Sequence, residues 1–93
     1  MVIGVLTLDL FMGEASSLKC KRRILKSLLE RMKSRFNVSV AEVGNQDKWQ
    51  HSTVGVTCVT NEQSHAHQML SAVIKYVEST GTVEIIDIQT ELL

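Results

Sequence analysis

The order of hydrophobic patterns along the chain is the feature that most restricts its fold. Residues 2–11 alternate apolar and mixed positions, as in a strand with one covered face, whereas residues 18–35 carry apolar side chains at helical spacing. The same two patterns recur in the rest of the chain. The predicted elements are a strand over 2–11, a helix over 18–35, strands over 37–43 and 49–60, a helix between Asn61 and Gly81, and a strand over 82–90.

This βαββαβ order predicts an α+β fold of the ferredoxin-like kind, with a four-stranded antiparallel sheet and two helices on one face. The 93 residues contain no proline and no linker-like stretch. A chain of this length is typical of one domain. We therefore expect a single ferredoxin-like domain over residues 1–93.

The first helix concentrates the basic residues of the chain. Residues 19–35 hold eight Lys and Arg and one acid, Glu30, so their charge is 8 − 1 = +7, and the remainder is 2 − 9 = −7. Clustered cations of this kind neutralise phosphates and release counterions. An alternative is a solvated helix face whose long aliphatic stems cover apolar surface.

A set of candidate RNA-binding residues follows from this pattern. Trp49 joins the basic residues because an indole beside a polar turn can stack on a base, although such a side chain can also close the edge of a core. The predicted RNA-binding residues are Lys19, Lys21, Arg22, Arg23, Lys26, Lys33 and Trp49.

Catalytic and metal-binding motifs are not apparent in the sequence. His65 and His67 are two residues apart, so on a helix they point about 200° away from each other and cannot hold one ion together. Cys20 is the only candidate nucleophile, because it starts a helix among basic residues, but no general base accompanies it. We predict no enzymatic activity, no metal and no cofactor, and we expect Cys20 and Cys58 to be reduced.

The apolar segments are too short to predict a membrane-spanning helix. No apolar run approaches the roughly 18 residues that a membrane-spanning helix needs. The N-terminal residues resemble a strand and lack the basic region of a signal peptide. We therefore expect a cytoplasmic location and no membrane partner.

Three segments resemble the YlxP-like family of small bacterial proteins along essentially the whole chain. The segments are Ser17-Leu18-Lys19-Cys20-Lys21-Arg22-Arg23, Arg35-Phe36-Asn37-Val38-Ser39-Val40-Ala41-Glu42-Val43 and Gln46-Asp47-Lys48-Trp49-Gln50. The resemblance implies a ferredoxin-like fold, a bacterial cytosolic location, no established enzyme activity, and genes that often lie beside those of translation initiation and ribosome-maturation factors. Cys20 departs from the pattern, since the family more often has Glu there.

Two functional hypotheses follow. The first is a non-catalytic RNA- or ribosome-associated binding module that contacts phosphates through the first helix. The second is a dimeric scaffold or regulatory domain whose open sheet face binds a second copy, a protein or a small ligand. The side chains expected on that face are Thr7, Asp9, Ser39 and Thr57 together with Val5, Ile86 and Ile88.

Overall fold

The computed structural model describes residues 1–93 and contains the predicted succession of elements. These are β1 (Val2–Phe11), α1 (Leu18–Arg35), β2 (Ser39–Gly44), β3 (His51–Thr60), α2 (Gln63–Ser79) and β4 (Glu84–Leu92). The strands form one sheet in the order β2-β3-β1-β4, and every neighbouring pair is antiparallel. The α+β, ferredoxin-like fold predicted from the sequence is confirmed.

The core lies between one face of the sheet and both helices. Alternate side chains of β1 are fully buried, because the strand turns every second residue towards the helices. One cluster of 14 buried residues joins the sheet to α1 and α2. Its members are Leu6, Leu8, Leu10, Leu25, Leu28, Met32, Val40, Val54, Val56, Cys58, Ala66, Leu70, Val73 and Val77.

The two helices begin differently, because only α1 has a side chain that caps its first turn. α1 has the predicted bounds, and the Ser17 hydroxyl accepts a hydrogen bond from the Cys20 N–H at 3.0 Å, as an N-cap side chain does. α2 starts one residue later than a helix directly after Asn61 would, since Glu62 occupies its N-cap position and no side chain caps it. After α2, Gly81 adopts a φ of 73°, which glycine reaches without steric cost.

Three strands differ from the predicted bounds by a few residues. β2 spans Ser39–Gly44 rather than residues 37–43. β3 starts at His51 rather than Trp49, because the residues before it belong to the β2–β3 turn. β4 starts at Glu84 rather than Thr82, because the turn after α2 extends through Thr82 and Val83.

The strand register brings three loops together at one end of the sheet. Phe11 lies opposite His51 on one side and Glu84 on the other, and we call this the Phe11 end. The Met12 N–H donates to the Gln50 carbonyl at 2.8 Å, which joins the β1–α1 loop to the β2–β3 loop. The start of α1 therefore lies at the same end of the sheet as the β2–β3 loop.

The composition of the open sheet face differs from the prediction at β4. Ile88 lies opposite Leu8, whose side chain is in the core, so Ile88 belongs to the helix-bearing side of the sheet. Ile86 lies at a bulge, because the register shifts between Asp9 and Leu10 of β1. The expectation that Ile86 and Ile88 belong to the open face is therefore wrong for Ile88.

Neither helix combines the length and the apolar character that crossing a bilayer requires.

Candidate nucleic-acid interface

The packing of α1 determines which of its basic residues reach solvent. Leu25, Leu28 and Met32 are buried against the sheet. At the end of the helix, the Arg35 guanidinium lies 4.7 Å from the centroid of the Tyr76 ring in α2. One flank of α1 therefore faces α2, and the other faces away from it.

Five exposed cations share the flank that faces away from α2. They lie between about 40° and 140° around the helix from Leu18, whereas Arg35 lies near −100°. We call this set the basic flank, and its members are Lys19, Arg22, Arg23, Lys26 and Lys33. The outermost two are 14 residues apart in the sequence, which is about 21 Å along the helix axis.

The cations of the basic flank have no carboxylate partners. The structure contains one salt bridge, and it joins Lys21 to Glu42. The single acid of α1, Glu30, is exposed and pairs with none of the five. The positive charge of the basic flank is therefore available to an anionic partner.

Lys21 does not belong to this surface. Its side chain is 0% exposed, its Nζ lies 2.9 Å from Glu42 Oε2, and it donates a 2.6 Å hydrogen bond to the Asn45 carbonyl. A buried ammonium with two protein partners cannot reach a phosphate, so the prediction of Lys21 as an RNA-binding residue is wrong. Lys21 lies at about −60° from Leu18 around the helix, within the apolar stripe between Leu28 and Met32. This position in the sequence pattern could have predicted that its side chain is buried.

The pair formed by Lys21 and Glu42 is part of a wider polar network. Ser52 is buried and donates to Glu42 Oε2 at 2.6 Å. Asn45 Nδ2 donates to Thr53 Oγ1 at 2.9 Å, and that hydroxyl donates to Asp9 Oδ1 at 2.8 Å. Every buried side-chain N or O atom has a hydrogen-bond partner. Through these hydrogen bonds, Asn45 at the start of the β2–β3 loop is bound to the sheet, and through Lys21 it is bound to α1.

Trp49 lies in the β2–β3 loop. It is 49% exposed and is not part of the hydrophobic cluster. The loop is at the Phe11 end, where α1 begins, so the indole and the first cations of the basic flank lie at the same end of the fold. Stacking of a base on Trp49 stays a prediction that this exposure allows.

The open sheet face is not a second candidate for binding nucleic acid. The four strands contain no Lys or Arg, and Phe11 is their only Phe, Tyr or Trp. The acids on this face are Asp9, Glu84, Asp87 and Glu91. Sheets that bind RNA present stacking aromatics instead. Carboxylates on this face would repel phosphates, so the candidate interface is confined to α1 and its neighbouring loop.

The cysteines and histidines do not form a reactive cluster. Both cysteines are free, with Cys58 buried and Cys20 half-buried, and Arg23 Nη2 is 3.8 Å from Cys20 Sγ. His65 Nδ1 lies 3.1 Å from Thr60 Oγ1. No three His, Cys, Asp or Glu side chains are grouped in a way that could hold a metal ion.

Comparison with known proteins gives matches along nearly the whole chain. A family model described as "Protein of unknown function (DUF503)" matches residues 3–90. The uncharacterized protein YlxP of Bacillus subtilis (strain 168) is 34% identical over 83 residues, which are 89% of this chain and 90% of that protein. Among solved structures, the de novo designed protein Foldit4 superimposes with a TM-score of 0.56 at 15% identity, covering 98% of this chain and 97% of that one. At that identity the similarity shows the fold alone.

Proposed function

Since the chain belongs to the DUF503 family, whose description assigns no activity, we propose its function from its own surface. The protein is a non-catalytic RNA-binding module of the cytoplasm that associates with the ribosome. It contacts RNA phosphates through the basic flank of α1, and Trp49 adds a stacking contact.

The observation that carries this proposal is the set of five exposed, unpaired cations on one flank of one helix. Lys19 and Arg23 are one helical turn apart, and so are Arg22 and Lys26. Like charges at this spacing destabilise a helix by about 0.2–0.5 kcal/mol per pair. A solvated face usually avoids this cost with intervening acids, and here Glu30 is the only acid on the helix. A polyanion would remove the repulsion by neutralising both members of each pair.

The acidic remainder of the domain supports a single orientation on RNA. Four of the five acids in the strands lie on the face opposite the helices, the exception being Glu42, which pairs with Lys21, while the basic flank lies on α1. This separation of charge would turn α1 towards a negatively charged surface as the protein approaches it. The sequence resemblance to a family whose genes often lie beside translation factors favours ribosomal RNA as the structured RNA concerned.

The test is a fluorescence anisotropy titration of labelled single-stranded RNA with the protein at several salt concentrations. Five phosphate contacts predict that log affinity falls with log salt concentration at a slope of about −3.5. A slope near zero, or the absence of binding at low salt, would contradict the proposal.

The open sheet face favours a second candidate function, that of a dimeric scaffold. Val43 and Val59 are 60% and 65% exposed, and Val43 lies beside Gly55 on the open face. In this case the open face binds a second copy and the basic flank is only solvated. Gel filtration with light scattering shows whether the protein is a dimer, and the anisotropy titration shows whether it binds RNA. A dimer that binds no RNA at low salt fits the second candidate alone.

A further inference from the structure

The outer edge of β4 is a long, unpaired strand edge. β4 has nine residues and pairs with β1 on one side only, because it is the last strand of the sheet. Proteins commonly protect such edges with charged side chains, especially Lys, with Pro, with a bulge or by making the strand short. β4 contains neither Lys nor Pro, and its bulge at Ile86 leaves the pairing from Asp87 onwards regular.

The hydrogen bonds to β1 identify which backbone groups of β4 point outwards. Ile3 and Leu93 exchange both hydrogen bonds, at 2.9 and 2.8 Å. Antiparallel pairing alternates, so the residues two, four and six positions before Leu93 also point their N–H and C=O groups towards β1. The backbone groups of Ile88, Thr90 and Leu92 therefore point away from the sheet.

The side chains along this edge have different chemistry on the two faces of the sheet. Asp87, Gln89 and Glu91 lie on the open face, opposite Asp9, Thr7 and Val5. That face has no cation in any strand. On the helix-bearing side, Ile88 is 42% exposed.

We propose that this edge binds an extended segment of a protein partner, which adds to the sheet as a fifth strand beside β4. Strand addition uses main-chain hydrogen bonds for affinity and alternate side chains for specificity. Here the segment carries Lys or Arg four residues apart, opposite Asp87 and Glu91. Apolar residues stand next to each of these cations in the segment. Their side chains lie on the helix-bearing side of the sheet, where one of them contacts Ile88.

A second copy of this chain fits the edge less well than a basic segment does. Antiparallel pairing of two β4 strands would place the Asp87 and Glu91 carboxylates of both copies next to each other on the open face. Like charges directly opposite each other destabilise strand pairing. Charge complementarity therefore selects a basic partner, and this edge is independent of the RNA interface proposed for α1.

The probe for the test is the amidated, acetylated peptide Val-Lys-Val-Thr-Val-Lys-Val, titrated into isotope-labelled protein and followed by NMR amide shifts. The expected result is saturable shifts at Ile88, Thr90 and Leu92, and none with the same peptide carrying Glu for Lys. Shifts confined to α1, or no shifts, would overturn the proposal. Mutual protection of the β4 amides as the concentration of protein alone rises would also overturn it, because it would identify a second copy as the occupant.

Two variants separate strand addition from simple charge attraction. Thr90→Pro removes an outward N–H, a change that edge strands tolerate, and should abolish the peptide-induced shifts. The pair Asp87→Lys and Glu91→Lys should weaken peptide binding about tenfold. The matched pair Glu30→Lys and Glu78→Lys, at exposed helix positions, should leave it unchanged. Equal weakening by both pairs would overturn the proposal.

Discussion

Replacing Arg23 and Lys26 with glutamate is expected to lower the affinity for single-stranded RNA at low salt by about tenfold or more. The change removes two of five phosphate contacts and adds two charges that repel phosphate. The salt slope should therefore fall in magnitude from about −3.5 to about −2.1. The introduced carboxylates lie one helical turn from Lys19 and Arg22, so the helix should not lose stability. Anisotropy titration measures the affinity, and circular dichroism checks the fold.

The matched control is the pair Arg31→Glu and Lys75→Glu. Both residues are exposed, Arg31 on the other side of α1 and Lys75 on α2, and the change in net charge is the same. We expect at most a small loss of affinity in this control, because neither residue belongs to the basic flank. Equal losses in the two variants would mean that net charge, and not the flank, determines binding.

Replacing Lys21 with methionine is expected to lower the free energy of unfolding by about 3 kcal/mol, near the lower end of the range for breaking a buried ion pair. Methionine fills the same space in the apolar stripe but leaves the Glu42 carboxylate, which is 17% exposed, without its cation. It also leaves the Asn45 carbonyl without the short hydrogen bond to Nζ. For a domain of this size, such a loss lowers the melting temperature by about 12 °C or more. Urea unfolding followed by circular dichroism measures the free energy of unfolding.

Two further variants test the cause of that loss. Lys26→Met changes an exposed lysine of the same helix and should alter stability by no more than about 0.5 kcal/mol. Adding Glu42→Gln to Lys21→Met should recover part of the stability, because the unpaired charge is then gone and Ser52 keeps an acceptor. If Lys21→Met is as mild as Lys26→Met, the buried pair contributes little and the interpretation of Lys21 is wrong.

Periodic patterns explain why the order of elements could be predicted from the sequence. β1 and α1 have the predicted bounds, because each carries a long regular pattern and α1 begins at a capping serine. The bounds of the remaining strands depend on where turns end. The turn after Gly81 extends to Val83, and only the pairing with Phe11 determines that β4 begins at Glu84.

The basic flank could also be predicted, whereas the role of Lys21 could not be read from charge alone. The five cations of the flank follow from helical spacing. The partner of Lys21 is Glu42, 21 residues later in the sequence, and only the crossover from α1 to β2 brings the two together. In the same way, the bulge at Ile86 determines which face Ile88 joins, and a one-residue bulge leaves no clear signal in an apolar strand.

Cosedimentation of the protein with bacterial small ribosomal subunits, across a range of salt concentrations, tests the central proposal most directly. We predict saturable pelleting that decreases with salt, is lost with Arg23→Glu and Lys26→Glu, and is retained with Arg31→Glu and Lys75→Glu. Absence of pelleting at low salt, or pelleting that neither salt nor reversal of the basic flank affects, would contradict a ribosome-associated function carried by α1.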